Sequence, residues 1–468
     1  MLAVAILGSS MAFIDGTAVN VALPALQSSL KASLLEVQWV VESYTLFLGA
    51  LLLTCGSLGD LFGPRKIFTF GVVLFAAASA WCGVSPDVHQ LILARSVQGI
   101  GASMLVPNSL ALLSVSFSRK DLGVAIGIWS GATSITSALG PVLGGWLAQH
   151  ASWRWVFAIN VPIAFVVFVL ALWRIPNSAP KAGRAPIDWT GTALATVGLG
   201  GLVYGLLQSS WLIGLCGLVA LIGFVVAQSR ERAPMLPLTL FRSSDFSGTS
   251  LLTFFLYGAL SGALFFLPLD LVKVQGYGET AAGLALLPLI LLMAFLSRWS
   301  ARLLDWLDAR ILLIVGPLIV AAGFGLLAVP GLGGSYWTTF FPAVMVLGFG
   351  MAATVAPLTT TVMRSVDQSR AGIASGVNNA LSRIAGLLSI ALFGLLLKAV
   401  FDRHYAAANL GASAREIELQ WSLLGAGGSE LAVKQSFVAG FRAVMWLSTA
   451  LCVASALTSM AFIKKARK

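Results

Sequence analysis

Fourteen long apolar runs, separated by short polar turns, follow one another along the chain. They cover approximately 2–26, 37–58, 67–85, 88–113, 122–148, 155–174, 187–208, 210–228, 246–269, 280–303, 310–329, 336–362, 370–398 and 437–463. A helix rising ~1.5 Å per residue needs about 20 apolar residues to cross a hydrocarbon layer about 30 Å thick. The pattern therefore predicts an all-α polytopic membrane protein with fourteen transmembrane helices. The seventh and eighth runs are joined by a very short turn near Gln208. Two polar stretches interrupt the rhythm. PNSAPKAGRAP (176–186) reads as a linker. Residues 399–436 form the longest loop, in which REIELQWSLL can make a short amphipathic helix on the protein or membrane surface. The first run is not expected to be a cleaved signal peptide, because it has no basic flank, contains Asp15 and is followed at once by further apolar spans.

The runs also repeat. CGSLGDLFGPR (55–65) and SARLLDWLDAR (300–310) place Asp60 over Asp305 and Arg65 over Arg310, an offset of 245 residues. Gly99 and Gly101 lie over Gly348 and Gly350, and Gly123 and Gly127 over Gly372 and Gly376, at an offset of 249; Pro107 lies over Pro357 at 250. Agreement among weak matches predicts two six-helix bundles, 1–175 and 242–468, with two inserted helices and the linker at 176–241. Parallel repeats of this kind are a transporter signature.

Composition sharpens the reading. The chain is 58% hydrophobic and 10% charged, with a mean hydropathy of +0.91. A soluble domain carries about 25% charged residues, so too little polar surface exists here to cover a soluble globule. The net charge of +11 would suggest nucleic acid on a soluble chain. Distributed over the spans, however, 19 of the 29 lysines and arginines fall on the side of the N-terminus and seven on the other. That asymmetry predicts both termini in the cytoplasm, a cytoplasmic-membrane location and no nucleic-acid partner. The four cysteines lie in or beside apolar runs and imply neither disulfides nor a metal site.

Charged residues inside the runs are the candidate chemistry. Asp15 sits about 20 Å along the first span, where an ionised carboxylate costs about 2.5–3.5 kcal/mol on insertion scales. It is either satisfied structurally by a neighbouring helix or serves as a proton carrier. Glu42 and Arg95 enter their spans from the same face at depths agreeing within about 3 Å, which predicts an ion pair between them, structural or engaged in proton exchange. GDLFGPRK (59–66) is a tight turn in which Asp60, Gly63 and Arg65 read as a conformational latch, given the degenerate copy at Asp305. GPVLGG (140–145) offers Gly140, Gly144 and Gly145 for close helix approach and Pro141 for a bend. Arg383 of the thirteenth span has no obvious acid at its depth in the sequence and can snorkel, cap carbonyls or face a central aqueous cavity, for which Asn378 is a further candidate. Asp188 reads as a helix cap. No GxxxxGK[ST], HExxH or GxSxG occurs, so neither ATP hydrolysis nor these hydrolytic sites are encoded.

These residues resemble the major facilitator superfamily, specifically its fourteen-span drug:proton antiporter branch, over essentially the whole chain. Asp15, Thr17, Asn20, Ala22, Leu23 and Pro24 match the branch's D-x-T-x-x-N-x-A-L-P pattern. Gly56, Leu58, Asp60, Gly63 and Arg65 match the cytoplasmic loop motif, which here departs at Leu61 and Pro64, where basic residues are usual. Arg95, Gln98, Gly99, Gly101 and Ala102 match the fourth-span motif, and GPVLGG the antiporter motif. The resemblance implies two bundles rocking about a midplane cavity and export driven by inward proton flow. In that scheme Asp15 leads proton coupling, Arg95 modulates its protonation and Gly140–Gly145 set the gating bend. It implies no cofactor beyond the proton as coupling ion, a small lipophilic substrate, and, if the host has an outer membrane, a periplasmic adaptor. The tenth span, GLALLPLILLMAFL, holds no acid, and Asp270 lies only at the outer end of the ninth. Neutral, weakly acidic or monocationic lipophiles are therefore expected over dications. A dedicated metabolite exporter and a transport-inactive sensor or scaffold are the competing readings; an intramembrane enzyme lacks any convergent nucleophile–base pair.

Overall fold

The computed structural model describes residues 1–117, 119–175, 187–231, 234–303, 307–366, 371–408 and 430–464. In chain order the helices are α1 Leu2–Leu30, α2 Leu34–Phe62, α3 Pro64–Val84, α4 Val88–Ser116, α5 Arg119–His150, α6 Arg154–Ala158, α7 Asn160–Arg174, α8 Trp189–Leu207 and α9 Trp211–Arg230. They continue with α10 Ser244–Leu269, α11 Glu279–Ala285, α12 Leu287–Leu303, α13 Ala309–Leu327, α14 Tyr336–Thr339, α15 Phe341–Arg364, α16 Ala371–Ala408 and α17 Glu430–Phe462. A π-helical turn, Asp270–Val274, extends α10. Among the described residues thirteen helical segments are long and apolar enough to cross a membrane. α5, with 32 residues, has the length for a fourteenth.

Short side-chain caps start several of these helices. Asp87 accepts from the backbone of Gln90 at 2.9 Å, Asp188 from Gly191 at 2.6 Å and Asp308 from Arg310 at 3.0 Å, each satisfying a first-turn N–H. Three spans are broken rather than continuous, at Ile159, Leu286 and Phe340, each two or three residues before Pro162, Pro288 or Pro342. Proline has no N–H to continue the ladder and disfavours helical backbone in the residue before it.

The chain forms two compact units. The first comprises Met1–Ala22 and Trp39–Leu238, the second Leu23–Gln38 and Thr239–Lys468. The tip of the α1–α2 hairpin thus groups with the second unit, and α8 and α9 with the first. The inserted pair is fixed to α2 by a Thr54–Thr192 hydroxyl bond at 2.8 Å and by Trp39 tilted against Tyr204 at 5.9 Å. The other side of α9 exposes Trp211, Leu212, Val219 and Ile222, as a lipid-facing helix does.

Within each unit the repeated residues do the same work. A methyl added at Gly101 of α4 would come within 2.8 Å of the Phe75 nitrogen of α3. One at Gly350 of α15 would come within 2.7 Å of the Val320 nitrogen of α13. Phe75 and Val320 are 245 residues apart, the offset already carried by Arg65 and Arg310. Arg65 donates to the Leu172 carbonyl at 2.9 Å, and Arg310 to the Met460 carbonyl at 2.6 Å. Each acceptor lies two residues before the end of its helix, α7 or α17, where carbonyls lack helical partners.

Two expectations change. The thirteenth span does not stop at residue 398: α16 runs on to Ala408, and α17 begins at Glu430 rather than 437. The extension persists because it is amphipathic. Phe401 and Tyr405 are buried and stacked at 5.8 Å, while Lys398 pairs with Asp402 at 2.8 Å. The predicted surface helix REIELQWSLL, the linker 176–186 and Asp305 lie outside the described residues.

Candidate functional site

Asp15 sits at the middle of α1 with no exposed surface. Its carboxylate is not alone. Arg95 of α4 donates to Oδ2 through Nη1, forming an ion pair. Gln98, one helical turn further along α4, donates from Nε2 to Oδ1 at 2.9 Å, and Asn160 of α7 donates to the same oxygen at 3.2 Å. Ser79 of α3 closes the cluster, accepting from Gln98 at 2.7 Å and from Asn160 at 3.3 Å. Side chains of four helices of the first unit, α1, α3, α4 and α7, thus form one hydrogen-bonded cluster, in which α4 and α7 donate to the carboxylate. Bonds to charged groups are about twice as strong as neutral ones, and a buried ion is tolerated only when its lone pairs are occupied.

Arg95 is itself held on three sides. Its Nε donates to the Val40 carbonyl of α2 at 3.1 Å, and Nη1 also reaches Gln98 Oε1 at 2.7 Å. Its guanidinium lies 4.1 Å from the Tyr44 ring centroid, a cation–π contact made in a dry site. Tyr44 in turn donates its hydroxyl to the Ala12 carbonyl of α1 at 3.1 Å.

This geometry corrects the expected Glu42–Arg95 pair. Val40 and Tyr44, four residues apart, share the face of α2 turned to Arg95. Glu42 lies about 200° from each, on the far side of the helix. Matching depth did not match azimuth. Glu42 is fully buried, and neither carboxyl oxygen has a hydrogen-bond partner. It shares its face with Gln38, which donates to the Ile390 carbonyl at 3.4 Å.

GPVLGG lies against the same turn of α1. A methyl on Gly140 of α5 would strike the Thr17 side chain and come within 3.0 Å of the Ile14 carbonyl, and one on Gly144 would strike the Ala18 backbone. Thr17 donates to the Ser137 carbonyl across this crossing at 3.1 Å. Pro141 and Gly145 are buried beside them, inside an α5 that continues to His150. Gly144→Val is expected to destabilise the protein by about 1–3 kcal/mol, because a backbone cannot move aside as a side chain can. Thermal unfolding in detergent checks this, with Gly127→Val as the matched substitution in open space on the same helix. Equal melting temperatures for the two would show that the α1–α5 contact does not matter.

In the turn after α2, Gly63 has φ 98°, a left-handed conformation that favours glycine. Pro64, the departure from the usual loop motif, is the first residue of α3, where its fixed φ suits the helix start. Gly56 is half-buried against Pro107, Asp60 is exposed in the last turn of α2, and Arg65 makes the bond to Leu172. In the second unit Asn378 accepts from Thr253 at 2.7 Å, and Arg383 is half-buried on α16. Asp270 is buried at the start of the π-helical turn, with Oδ2 accepting from Gln275 at 3.3 Å.

Asn160 and Ser79 escaped the sequence reading because uncharged polar residues are frequent in these spans. One signal was available for Asn160: the break before Pro162 makes it the first residue of a new helix segment.

Comparison with known proteins agrees with the fold. The chain is 34% identical over 426 residues to the tetracenomycin C resistance and export protein of Streptomyces glaucescens, covering 88% of this chain and 78% of that protein. It is 35% identical over 412 residues to the methylenomycin A resistance protein of Bacillus subtilis, covering 85% and 87%. Its fold matches the crystal structure of a bacterial homologue of the human lysosomal transporter Spinster, with a TM-score of 0.69 at 18% identity, covering 99% and 97% of the two chains. The family model described as Major Facilitator Superfamily matches residues 5–390, and the chain belongs to that superfamily of membrane transporters.

Proposed function

We propose that this transporter is a proton-coupled antiporter that exports lipophilic drugs or toxic compounds across the cytoplasmic membrane by alternating access. The observation that carries the reading is the Asp15 carboxylate, fully buried and bound by Arg95, Gln98 and Asn160. A carboxyl that takes up a proton gives up its claim on Arg95. Arg95 keeps its bonds to the Val40 carbonyl and Gln98 and its place over Tyr44, so the α1–α4 attachment weakens while the α2–α4 attachment stays. Proton loading thereby acts on the packing of α1, the helix on which Gly140 and Gly144 rest. Each proton moving down 100 mV supplies about 2.3 kcal/mol, enough for roughly a 50-fold gradient of neutral cargo.

Relatives named for resistance to tetracenomycin C and methylenomycin A support antibiotic-like cargo. The tenth span, 280–303, holds no acid, and Asp270 lies past the end of α10 rather than deep within it, which favours neutral or monocationic lipophiles. Addition of such a lipophile to inverted vesicles is expected to move protons, and an uncoupler is expected to stop its accumulation. Accumulation that survives collapse of the proton gradient would overturn antiport.

Glu42 is the second proton-carrying candidate, since a buried carboxyl without partners is costly unless it has a use. Glu42→Gln is expected to lower coupled transport by about tenfold or less while leaving Asp15-dependent proton movement detectable. A complete loss would give Glu42 the leading part instead.

A further inference from the structure

Among the described residues, every group that reaches the Asp15 carboxylate does so as a donor: Arg95 at Oδ2, and Gln98 and Asn160 at Oδ1. That suits the ionised form, which only accepts. A protonated carboxyl carries an O–H and needs an acceptor within reach. Gln98 does not supply one, because its Oε1 already accepts from Arg95 at 2.7 Å and from the Cys82 thiol at 3.6 Å. Asn160 is different. Its Nδ2 lies 3.2 Å from Asp15 Oδ1 and 3.3 Å from Ser79 Oγ, while its Oδ1 is buried with no hydrogen-bond partner. Ser79 shows the matching deficit. Its buried hydroxyl accepts from Gln98 and Asn160 and, among the described residues, donates to nothing. An acceptor and a donor left unmet in two touching buried residues are costly unless another state uses them.

One movement meets both. Half a revolution of the Asn160 amide about its Cβ–Cγ bond exchanges Oδ1 and Nδ2, atoms of nearly equal size, along a torsion with broad minima. Oδ1 then stands beside Asp15 Oδ1 and Ser79 Oγ, and its two lone pairs can accept from the Asp15 O–H and the Ser79 hydroxyl. We propose that Asn160 is the acceptor for the Asp15 proton, and that its amide turns over each time Asp15 takes up or releases that proton. The proton stays on Asp15 Oδ1, and the amide oxygen accepts its hydrogen bond. The titratable side chains around the cluster are Arg95 of α4, Cys82 of α3 and Tyr44 of α2, whose hydroxyl donates to the Ala12 carbonyl; α6 contributes Phe157. Arg95 and Cys82 both face the cluster as donors, so neither competes with Asn160 for the O–H. The proposal rests on the reading of Asp15 as proton carrier and adds what holds the proton there. It also hands α1 from one helix to another: the charge of Arg95 on α4 holds the ionised carboxylate, and Asn160 on α7 holds the neutral acid.

The test is infrared difference spectroscopy of the full chain in lipid, between neutral and acid pH. The unmodified protein is expected to gain a carboxylic acid C=O band that is absent in Asp15→Asn, at the lower frequency of an acid whose O–H is bonded. Asn160→Leu, close in volume but without an acceptor, should move that band to the higher frequency of an unbonded acid. It should also lower proton-coupled transport about tenfold, the worth of one unmet buried hydrogen bond. Asn160→Gln, which keeps the amide, should keep the band low. An Asp15-dependent band at unchanged frequency in Asn160→Leu would overturn the proposal and leave Asp15 as the carrier. Absence of any Asp15-dependent band would overturn the carrier reading itself. Should Asn160→Leu fail to fold, the unmodified protein with isotopically labelled asparagine side-chain carbonyls gives a second measurement. One labelled band should move to lower frequency on acidification, as Oδ1 gains its bonds, and should stay still in Asp15→Asn. Labelled bands that do not move in the unmodified protein would equally overturn the proposal.

Discussion

Inverted vesicles carrying Asp15→Asn are expected to show no cargo-triggered proton movement, against a clear signal from the unmodified protein at matched expression. Asparagine is nearly isosteric with aspartate, and its carbonyl oxygen can still accept from Gln98 and Asn160, whose donors lie 2.9 and 3.2 Å from Oδ1. It can neither bind nor release a proton, and it carries no charge for Arg95. The variant thus keeps most of the local shape and loses the titrating group. Arg95 retains its bonds to the Val40 carbonyl and to Gln98 and its contact with Tyr44, so the protein is expected to fold and insert. At least a hundredfold loss of coupled flux is expected, with cargo binding retained. Unchanged proton movement would reduce Asp15 to a structural carboxylate and transfer the proton-carrying role to Glu42.

Removal of the partner has the larger effect on stability. Arg95→Met takes away the only cation touching Asp15 among the described residues, together with the bond to Val40 and the contact with Tyr44. Breaking a buried ion pair from one side costs about 3–5 kcal/mol, because the remaining charge is stranded. Methionine fills much of the same volume, so little of that cost comes from a cavity. The melting temperature in detergent should fall markedly in Arg95→Met. In Arg95→Met/Asp15→Asn, where no charge is stranded, it should recover in part. Residues in direct contact give such non-additive effects, whereas independent residues add. Strict additivity of the two substitutions would show that the pair contributes no coupling energy.

Much of this was legible in the chain. Runs of about 20 apolar residues dictate membrane helices, and the repeat at 245–250 residues foretold equivalent contacts, seen at Gly101 with Phe75 and at Gly350 with Val320. Asp15 and Arg95 stood out because ionised groups are expensive in apolar surroundings. What failed was pairing. Depth along a helix can be counted from residue number, but azimuth must be counted too, and Glu42 lies on the wrong side of α2 for Arg95. Asn160 and Ser79 carried no charge to mark them. The length of α16 was misjudged because Asp402, Arg403 and His404 look like a loop, whereas Phe401 and Tyr405 pack on the buried face and hold the helix together. Pro64, a departure when read as a motif, has a plain local reason as the first residue of α3.

The matched bonds from Arg65 to Leu172 and from Arg310 to Met460 show how far the repeat extends. Each ties the basic first turn of α3 or α13 to the closing turn of α7 or α17. The repeat is thus kept in contacts as well as in spacing, from that turn to the end of a later helix, and α8 and α9 have no counterpart in the pairing.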